Sequence, residues 1–532
     1  MLCLTLTGQF LLFDQIGSKP AAATWPRWND QIQYLTEAYT AWERVQTNGA
    51  TGWWESLTNP AAQGTWHDTA ALAIFTVAGG PSRSAVLALN ALFLIAWQVA
   101  LFAALRSAPL SRSFAWIAVG LPLLLKGPWV DGPGTVYDFR LDWMATCALG
   151  VCAAFGLATE GWRRRGWCLA LGAVAGLTIT LRFLTIAYLG CAVVLCIVVI
   201  LATHEDRKER LRSFFGAILI AGWIAAPSFW INRQVIWDYY LVGHFTGPES
   251  AIRAPDFNAT EAILWVFKEW EAEHIGPVFW SVTGAILVVL VALSASSRPR
   301  PAAPMPFART KAVDGWMTLS VPMALGCATA IILTVHPQKS SVVLGNLSAA
   351  WITLVAWGLA QISRRVAPYW AHVLGGGFAC VALSIYAQKM LKAGPDIKVA
   401  KDAQTVFSVV DQVARISEER SWGHPRVGVD RITDSLDAQV MRVIVYERHH
   451  HWVPFIMTLP TGIAQADDRL IDERLAQSDF VLLTLTGNRG NWPYDHQLRE
   501  RRQATLAWCE SHLEDIRTFT VEGETMKLFV RR

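Results

Sequence analysis

Three short stretches of this 532-residue chain hold the side chains best suited to chemistry. The first is RWNDQIQYLTEAY, Arg27 to Tyr39, with one acid at Asp30 and Tyr34 one helical turn later. The second is DGPGTVYDFRLDW, Asp131 to Trp143. Its Asp138 and Asp142 share a face if the following helix starts early, and Arg140 stands between them. The third is HPQKSS, His336 to Ser341, with a point charge at Lys339, hydroxyl donors at Ser340 and Ser341, and an imidazole at His336. Arg182, in TLRFLT, and the adjacent His67 and Asp68, in GTWHDTA, extend the set. A carboxylate within hydrogen-bond reach of a hydroxyl can take its proton as that hydroxyl attacks. Cations and hydroxyls can take up the charge of a departing phosphate.

Each stretch also has a plainer use. Asn29 or Asp30 can cap the first turn of a helix. The acids of 131–143 can sit in a solvated loop, one of them capping a helix. Lys339 can snorkel to lipid headgroups. His67 can close a loop hydrogen bond rather than touch an acceptor or a metal. A cation at membrane depth, such as Arg182, usually faces a polar cavity or pairs with an acid. His449, His450 and His451 are consecutive, so they do not face one way and rarely chelate one metal.

The elements that must position these residues are membrane helices. The chain is 53% hydrophobic and only 17% charged, with long apolar runs and 26 tryptophans. That composition marks an integral membrane protein with many helical spans and indoles at headgroup level. A net charge of +4 gives no reason to expect a nucleic-acid partner. Eight of nine cysteines (Cys3, Cys147, Cys152, Cys168, Cys191, Cys196, Cys327 and Cys380) lie in apolar segments or the first residues, and no CxxC occurs. They read as small buried hydrophobes. The expected spans are 1–17, 83–105, 113–126, 142–160, 166–181, 184–203, 213–233, 276–296, 316–336, 341–362 and 368–390. Lys and Arg cluster in alternate short loops: 106–112, 163–165, 207–212, 298–311 and 364–365. The positive-inside bias makes those loops cytoplasmic. It places 18–82, 127–141, 234–275, 337–340 and the tail outside, in a periplasm if the cell has one.

Within loop 18–82, Ile32, Leu35, Tyr39, Trp42 and Val45 form one helical stripe. That helix is too polar to span and is expected at the interface. Residues 391–532 change character. RVGVD (426–430) and DFVLLTL (479–485) read as buried strands, and 400–416, 467–477 and 498–513 read as amphipathic helices. The last residues read as a hairpin about Glu522–Gly523. Alternating helix and strand implies a small α/β domain. The expected domains are thus a transmembrane catalytic domain, 1–390, and a periplasmic α/β domain, 391–532.

An outer loop that opens on Asp30, Tyr34 and Leu35 and continues as an amphipathic helix resembles the GT-C membrane glycosyltransferases. These include the protein O-mannosyltransferases and the bacterial aminoarabinose transferases. The layout of about eleven spans with an extracytoplasmic C-terminal domain is similar. The resemblance implies a multi-pass bacterial inner-membrane enzyme, without nucleotide cofactor, that moves a sugar from a polyprenyl-phosphate donor to a hydroxyl of a glycan, lipid or protein acceptor, with inversion. Members usually carry two adjacent acids where this chain has Asn29–Asp30, so Asp30 acts alone there. FRLD resembles the family's second acidic element, which implies Asp142, then Asp138, as the partner acid, with Arg140 between them. A divalent cation, Mg or Mn, held by Asp30 and Asp142 is part of the same implication. Donor or acceptor contact is expected of Tyr34, Arg140, Arg182, His336, Lys339 and His67. GHFTGPES (243–250) would shape the acceptor side. Two other classes compete. A surface-glycan ligase or polymerase would carry a large late loop and no α/β tail. A transporter or scaffold would show paired repeats with broken spans.

Overall fold

The computed structural model describes residues 2–27, 29–59, 61, 63–107, 114–130, 132–203, 205–246, 257–296, 316–337, 339–364, 366–393, 397–430, 435–436, 438–453, 455–457, 465–487 and 493–532. The chain divides into two compact units. One comprises Met1–Gly17, Ala41–Val77 and Ala85–Ala393; the other comprises Ser18–Thr40, Ala78–Ser84 and Gly394–Arg532.

Among the described residues, six helical stretches are long and apolar enough to cross a membrane: Arg83–Ser107, Leu141–Ala158, Arg207–Thr246, Ala259–Ala295, Ser341–Ser363 and Pro368–Lys392. Shorter apolar helices at Phe114–Leu124, Arg165–Leu181, Thr185–Leu201 and Ser320–Val335 fall on four further expected spans. Leu2–Leu12 falls on the first. His67–Ala78 is an apolar helix within the stretch expected as outer loop. Phe114–Leu124 alternates between 3-10 and α geometry around Gly120 and Pro122, because proline supplies no N–H to the helix ladder. The protein is a multi-pass membrane protein.

Five helices position the site in the first unit. They are α1 (Arg83–Ser107), α2 (Leu141–Ala158), α3 (Arg165–Leu181), α4 (Thr185–Leu201) and α5 (Arg207–Ile236). Helices α3 and α5 approach closely through Gly172 and Gly176. A Cβ on Gly172 would strike the Ala217 carbonyl, and one on Gly176 would sit 2.8 Å from that of Ala221. Small residues four apart are the usual means of bringing membrane helices into backbone contact. Gly150 of α2 meets the Trp97 indole of α1 in the same way. A core of Cys152, Trp162, Cys168, Phe214, Met317 and Val321 fills the space between the helices. The expected outer loop 234–275 is largely helical where described. Helix α5 runs on as a π-helix to Thr246, and a new helix starts at Ala259. Asn258 and Glu261 close a reciprocal capping box at that start, at 2.9 and 3.0 Å.

The second unit contains a five-stranded sheet of order β2-β1-β3-β5-β4. Its strands are β1 (Arg426–Val429), β2 (Ile456–Met457), β3 (Phe480–Thr484), β4 (Leu513–Val521) and β5 (Glu524–Arg531). β1 lies parallel to β2 and β3, and β5 is antiparallel to β3 and β4. The hairpin turns at Glu522 and Gly523, both with positive φ, the backbone that follows strand twist in a two-residue turn. Val481, Leu483, Tyr494, Leu498, Cys509 and Phe529 form a core under the sheet. Residues 18–40 and 78–84 belong to this unit, and a polar cluster around Glu447 is among their contacts with it. Arg83, 3% exposed, grips Glu447 with Nε at 3.0 Å and Nη2 at 2.6 Å, and the Tyr39 hydroxyl donates to Glu447 at 2.8 Å. Tyr39 stacks on Tyr446 at 4.9 Å, and Tyr446 on Trp452 at 4.3 Å.

Candidate active site

Helix α2 begins at Leu141, so Asp142 lies in its first turn, where a carboxylate faces the positive end of the helix dipole. Arg140 precedes the helix with extended backbone. Asp138 lies outside the helix, in a turn, so the two acids do not share a helical face. They converge through Arg140, whose Nε is 3.3 Å from Asp142 and 3.7 Å from Asp138. The turn is built around Gly134, whose N–H donates to Asp138 at 2.7 Å. Gly134 has φ +73°, and a side chain there would collide with Val342. Asn90 of α1 fixes the same turn from the other side, donating to the carbonyls of Val136 and Asp138 at 3.0 Å each.

Arg182 occupies the break between α3 and α4, again in extended backbone. Its Nη2 lies 3.0 Å from Asp142, and its Nη1 donates to the side-chain oxygen of Gln63. Residues 63–65 pair with the break itself. Thr65 N–H donates to the Thr180 carbonyl at 2.9 Å, and Phe183 N–H to that of Gln63 at 2.8 Å. Tyr188, buried, and Tyr240, half-buried, lie within electrostatic reach of Arg182 and Asp142. Asp138 is fully buried, Asp142 is 3% exposed and Arg182 is 7% exposed. Among the described residues, two acids and two guanidinium groups meet here, with Asp138, Asp142 and Arg182 buried and Arg140 half-buried. Such a cluster costs too much to bury without pairing.

The other expected site residues lie as follows. His67 Nε2 pairs with its neighbour Asp68 at 2.6 Å, both buried. The Lys339 ammonium donates to the carbonyls of Leu333, Thr334 and His336 at 3.1, 2.7 and 2.7 Å, closing the end of helix Ser320–Val335. Burial holds that ammonium below its usual value. His336 faces His244 at 3.3 Å. The turn after Lys339 does approach the acidic cluster. Val342 packs beside Gly134, and His274 donates to the Ser341 carbonyl at 2.7 Å. A cavity of about 30 Å³ lies among Gly134, Trp143, Thr146, His274, Val342 and Gly345. Asp131 and residues 247–250 lie outside the described residues. In the second unit, Asp30 is half-buried in the first turn of the helix Asn29–Asn48, and Tyr34 is buried one turn on.

Asp138 and Asp142 already face Arg140 and Arg182. A divalent cation at Asp142 would share that carboxylate with two fixed positive charges. Gln63 and Asn90 were not singled out from the sequence. Neutral amides carry no burial penalty large enough to mark them, and their contacts cross 119 and up to 48 residues.

No protein-family model matches the chain, and no curated protein does. Solved structures do. The crystal structure of ArnT from Cupriavidus metallidurans bound to undecaprenyl phosphate superposes with a TM-score of 0.57 at 12% identity, covering 99% of this chain and 97% of that one. The apo structure of the same protein gives a TM-score of 0.58 at 14% identity, with the same coverage. Over essentially its whole length, the chain carries the GT-C fold.

Proposed function

We propose that this protein is a membrane glycosyltransferase. It moves a sugar from a polyprenyl-phosphate donor to a hydroxyl of a glycolipid, polysaccharide or protein at the outer membrane face. The observation that carries the proposal is the buried Asp142–Arg182 pair at a helix break in an apolar unit. Charge at such a place is retained for a polar reaction or ligand. The fold likeness to a protein solved with undecaprenyl phosphate supports a polyprenyl phosphate as that ligand. A lipid-borne donor also accounts for a transferase embedded in a bilayer.

In the proposed step the acceptor oxygen attacks the anomeric carbon and the bond from that carbon to the phosphate oxygen breaks. The acceptor proton passes to a carboxylate, assigned to Asp30. The electron pair leaves with the polyprenyl phosphate, whose charge Arg182 takes up. Asp142 holds Arg182 in place, and Arg140 keeps the two neighbouring acids from repelling each other. Attack opposite the leaving group inverts the anomeric centre. The loop charges support an outer location for 18–82 and for the α/β domain.

The test is to supply purified protein with polyprenyl-phosphate sugars and candidate acceptors and to follow release of polyprenyl phosphate. Asp30→Asn is expected to abolish transfer while expression and melting temperature hold. Full activity in that variant would leave Asp30 as a helix-terminal charge. Absence of release with every donor would overturn the proposal.

A further inference from the structure

We infer that Gln63 is a positioning residue that presents the Arg182 guanidinium to a lipid-linked phosphate without cancelling its charge. The geometry stands by itself; the identity of the anion rests on the glycosyltransferase reading above. Gln63 holds the break in three ways. Its side-chain oxygen accepts from Arg182 Nη1, its side-chain nitrogen donates to the Tyr239 hydroxyl at 2.9 Å, and its carbonyl accepts from Phe183 N–H. The guanidinium fixes which end of the amide faces Arg182, because only the amide oxygen can accept from it, and the amide nitrogen is thereby turned to the Tyr239 hydroxyl. The flanking loop is anchored on α5. Ala61 N–H donates to Asn232 at 2.5 Å, and the hydroxyls of Thr65 and Ser228 meet at 2.9 Å.

Charge explains the choice of residue. Among the described residues, Asp138 and Asp142 match Arg140 and Arg182 one for one. A glutamate at position 63 would hold Arg182 as firmly, but it would turn a balanced cluster negative. The site would then repel the phosphate it is proposed to hold. A glutamine orients the guanidinium and leaves the balance unchanged. Arg182 has one terminal nitrogen toward Asp142 and the other toward Gln63. Its plane is therefore set from both ends, as phosphate recognition by a guanidinium requires.

The experiment compares full-length wild type, Gln63→Glu and Gln63→Leu, purified in detergent, for binding of undecaprenyl phosphate and of neutral undecaprenol. Gln63→Glu keeps size and the acceptor toward Arg182, replaces the N–H donor toward Tyr239 with an oxygen to which the Tyr239 hydroxyl can donate, and adds one negative charge. It is expected to weaken undecaprenyl phosphate binding about tenfold or more, as one added charge near a partly buried anion should. Undecaprenol binding and melting temperature should hold. In turnover the donor KM should rise and kcat should fall as well, because Arg182 also takes up the charge that grows on the departing phosphate. Gln63→Leu should also lose phosphate affinity, through a misdirected guanidinium. Equal affinity of Gln63→Glu and wild type for the phosphate, or parallel loss for both lipids, would overturn the inference. Loss confined to the phosphate supports it, even if no donor sugar is ever transferred. That last outcome would sink the proposed reaction and leave the anion site standing.

Discussion

At the residue scale, the behaviour of the site turns on how Asp142 is shared. One oxygen faces Arg182 at 3.0 Å and the other faces Arg140 at 3.3 Å. Asp142→Asn removes the charge but keeps the shape, so among the described residues it leaves the buried Arg182 and the half-buried Arg140 against one remaining acid. Transfer is expected to fall by about 10²–10⁴-fold, the range for losing a positioned catalytic group. Stability should fall too, because breaking a buried pair costs about 3–5 kcal/mol. Parallel measurement of donor turnover and melting temperature checks both. Asp138→Asn should do less, since its carboxylate keeps the Gly134 N–H and lies farther from Arg140, at 3.7 Å. The charged members were legible in the sequence because an ionised side chain beside a long apolar run is costly and demands a reason. The amides that aim them were not, since glutamine and asparagine in such places are ordinary until the fold brings distant segments together.

At the element scale, the helix break at Arg182 depends on how closely α3 and α5 approach. Gly172→Leu would force those backbones apart, because even a Cβ collides with the Ala217 carbonyl. The strain of overpacking is about 1–3 kcal/mol or more. The displacement should reach the end of α3, where Arg182 meets Asp142. Reduced melting temperature and reduced turnover together are expected, whereas Gly216→Ala, which meets only Leu169 at 3.5 Å, should be silent. Lys339 makes a contrasting case. Its three carbonyl contacts are those of a cation closing a helix C-terminus. Lys339→Gln should therefore cost about 1–2 kcal/mol of stability, read as a lower melting temperature. The sequence showed its charge but not its partners, because a lysine at a turn between spans looks the same whether it faces lipid, phosphate or its own backbone. In the tail, β1, β3 and the final hairpin were legible from apolar runs and the Glu522–Gly523 turn. The helix Ala438–His449 went unassigned. Its VMRVIVY run is rich in β-branched residues, and its buried packing among Met441, Val443, Ile444 and Val445 overrides that preference.

At the scale of the whole molecule, the second unit is not a contiguous tail. It draws 18–40 and 78–84 into the same fold as 394–532, and Glu447 is the point where they join. The sequence marked the tail by its change in composition, but nothing local announces that Tyr39 and Arg83 belong with it. The hydrogen bond and ion pair that show this span 408 and 364 residues. A truncation at 391 would strip both Arg83 and Tyr39 of their carboxylate, so it would remove more than an appendage. The Tyr39 phenol offers a gentler probe. Burial first, then the Glu447 charge, hold its pKa well above the usual tyrosine value, and Arg83 only partly offsets them. A raised pKa means that the folded unit keeps the proton which the unfolded chain gives up near pH 10. The stability linked to Tyr39 is thus fully present below that pH and is lost as pH rises above it. Tyr39→Phe loses a hydrogen bond to a charged acceptor, worth about 1.5–3 kcal/mol, and has no proton to lose. Unfolding of the two proteins, followed between pH 8 and 11 by circular dichroism, should show a gap that is constant up to about pH 10 and closes above it. A gap that stays constant throughout would mean that Tyr39 ionises as readily in the folded unit as in the open chain, contrary to its place beneath Tyr446 and against Glu447.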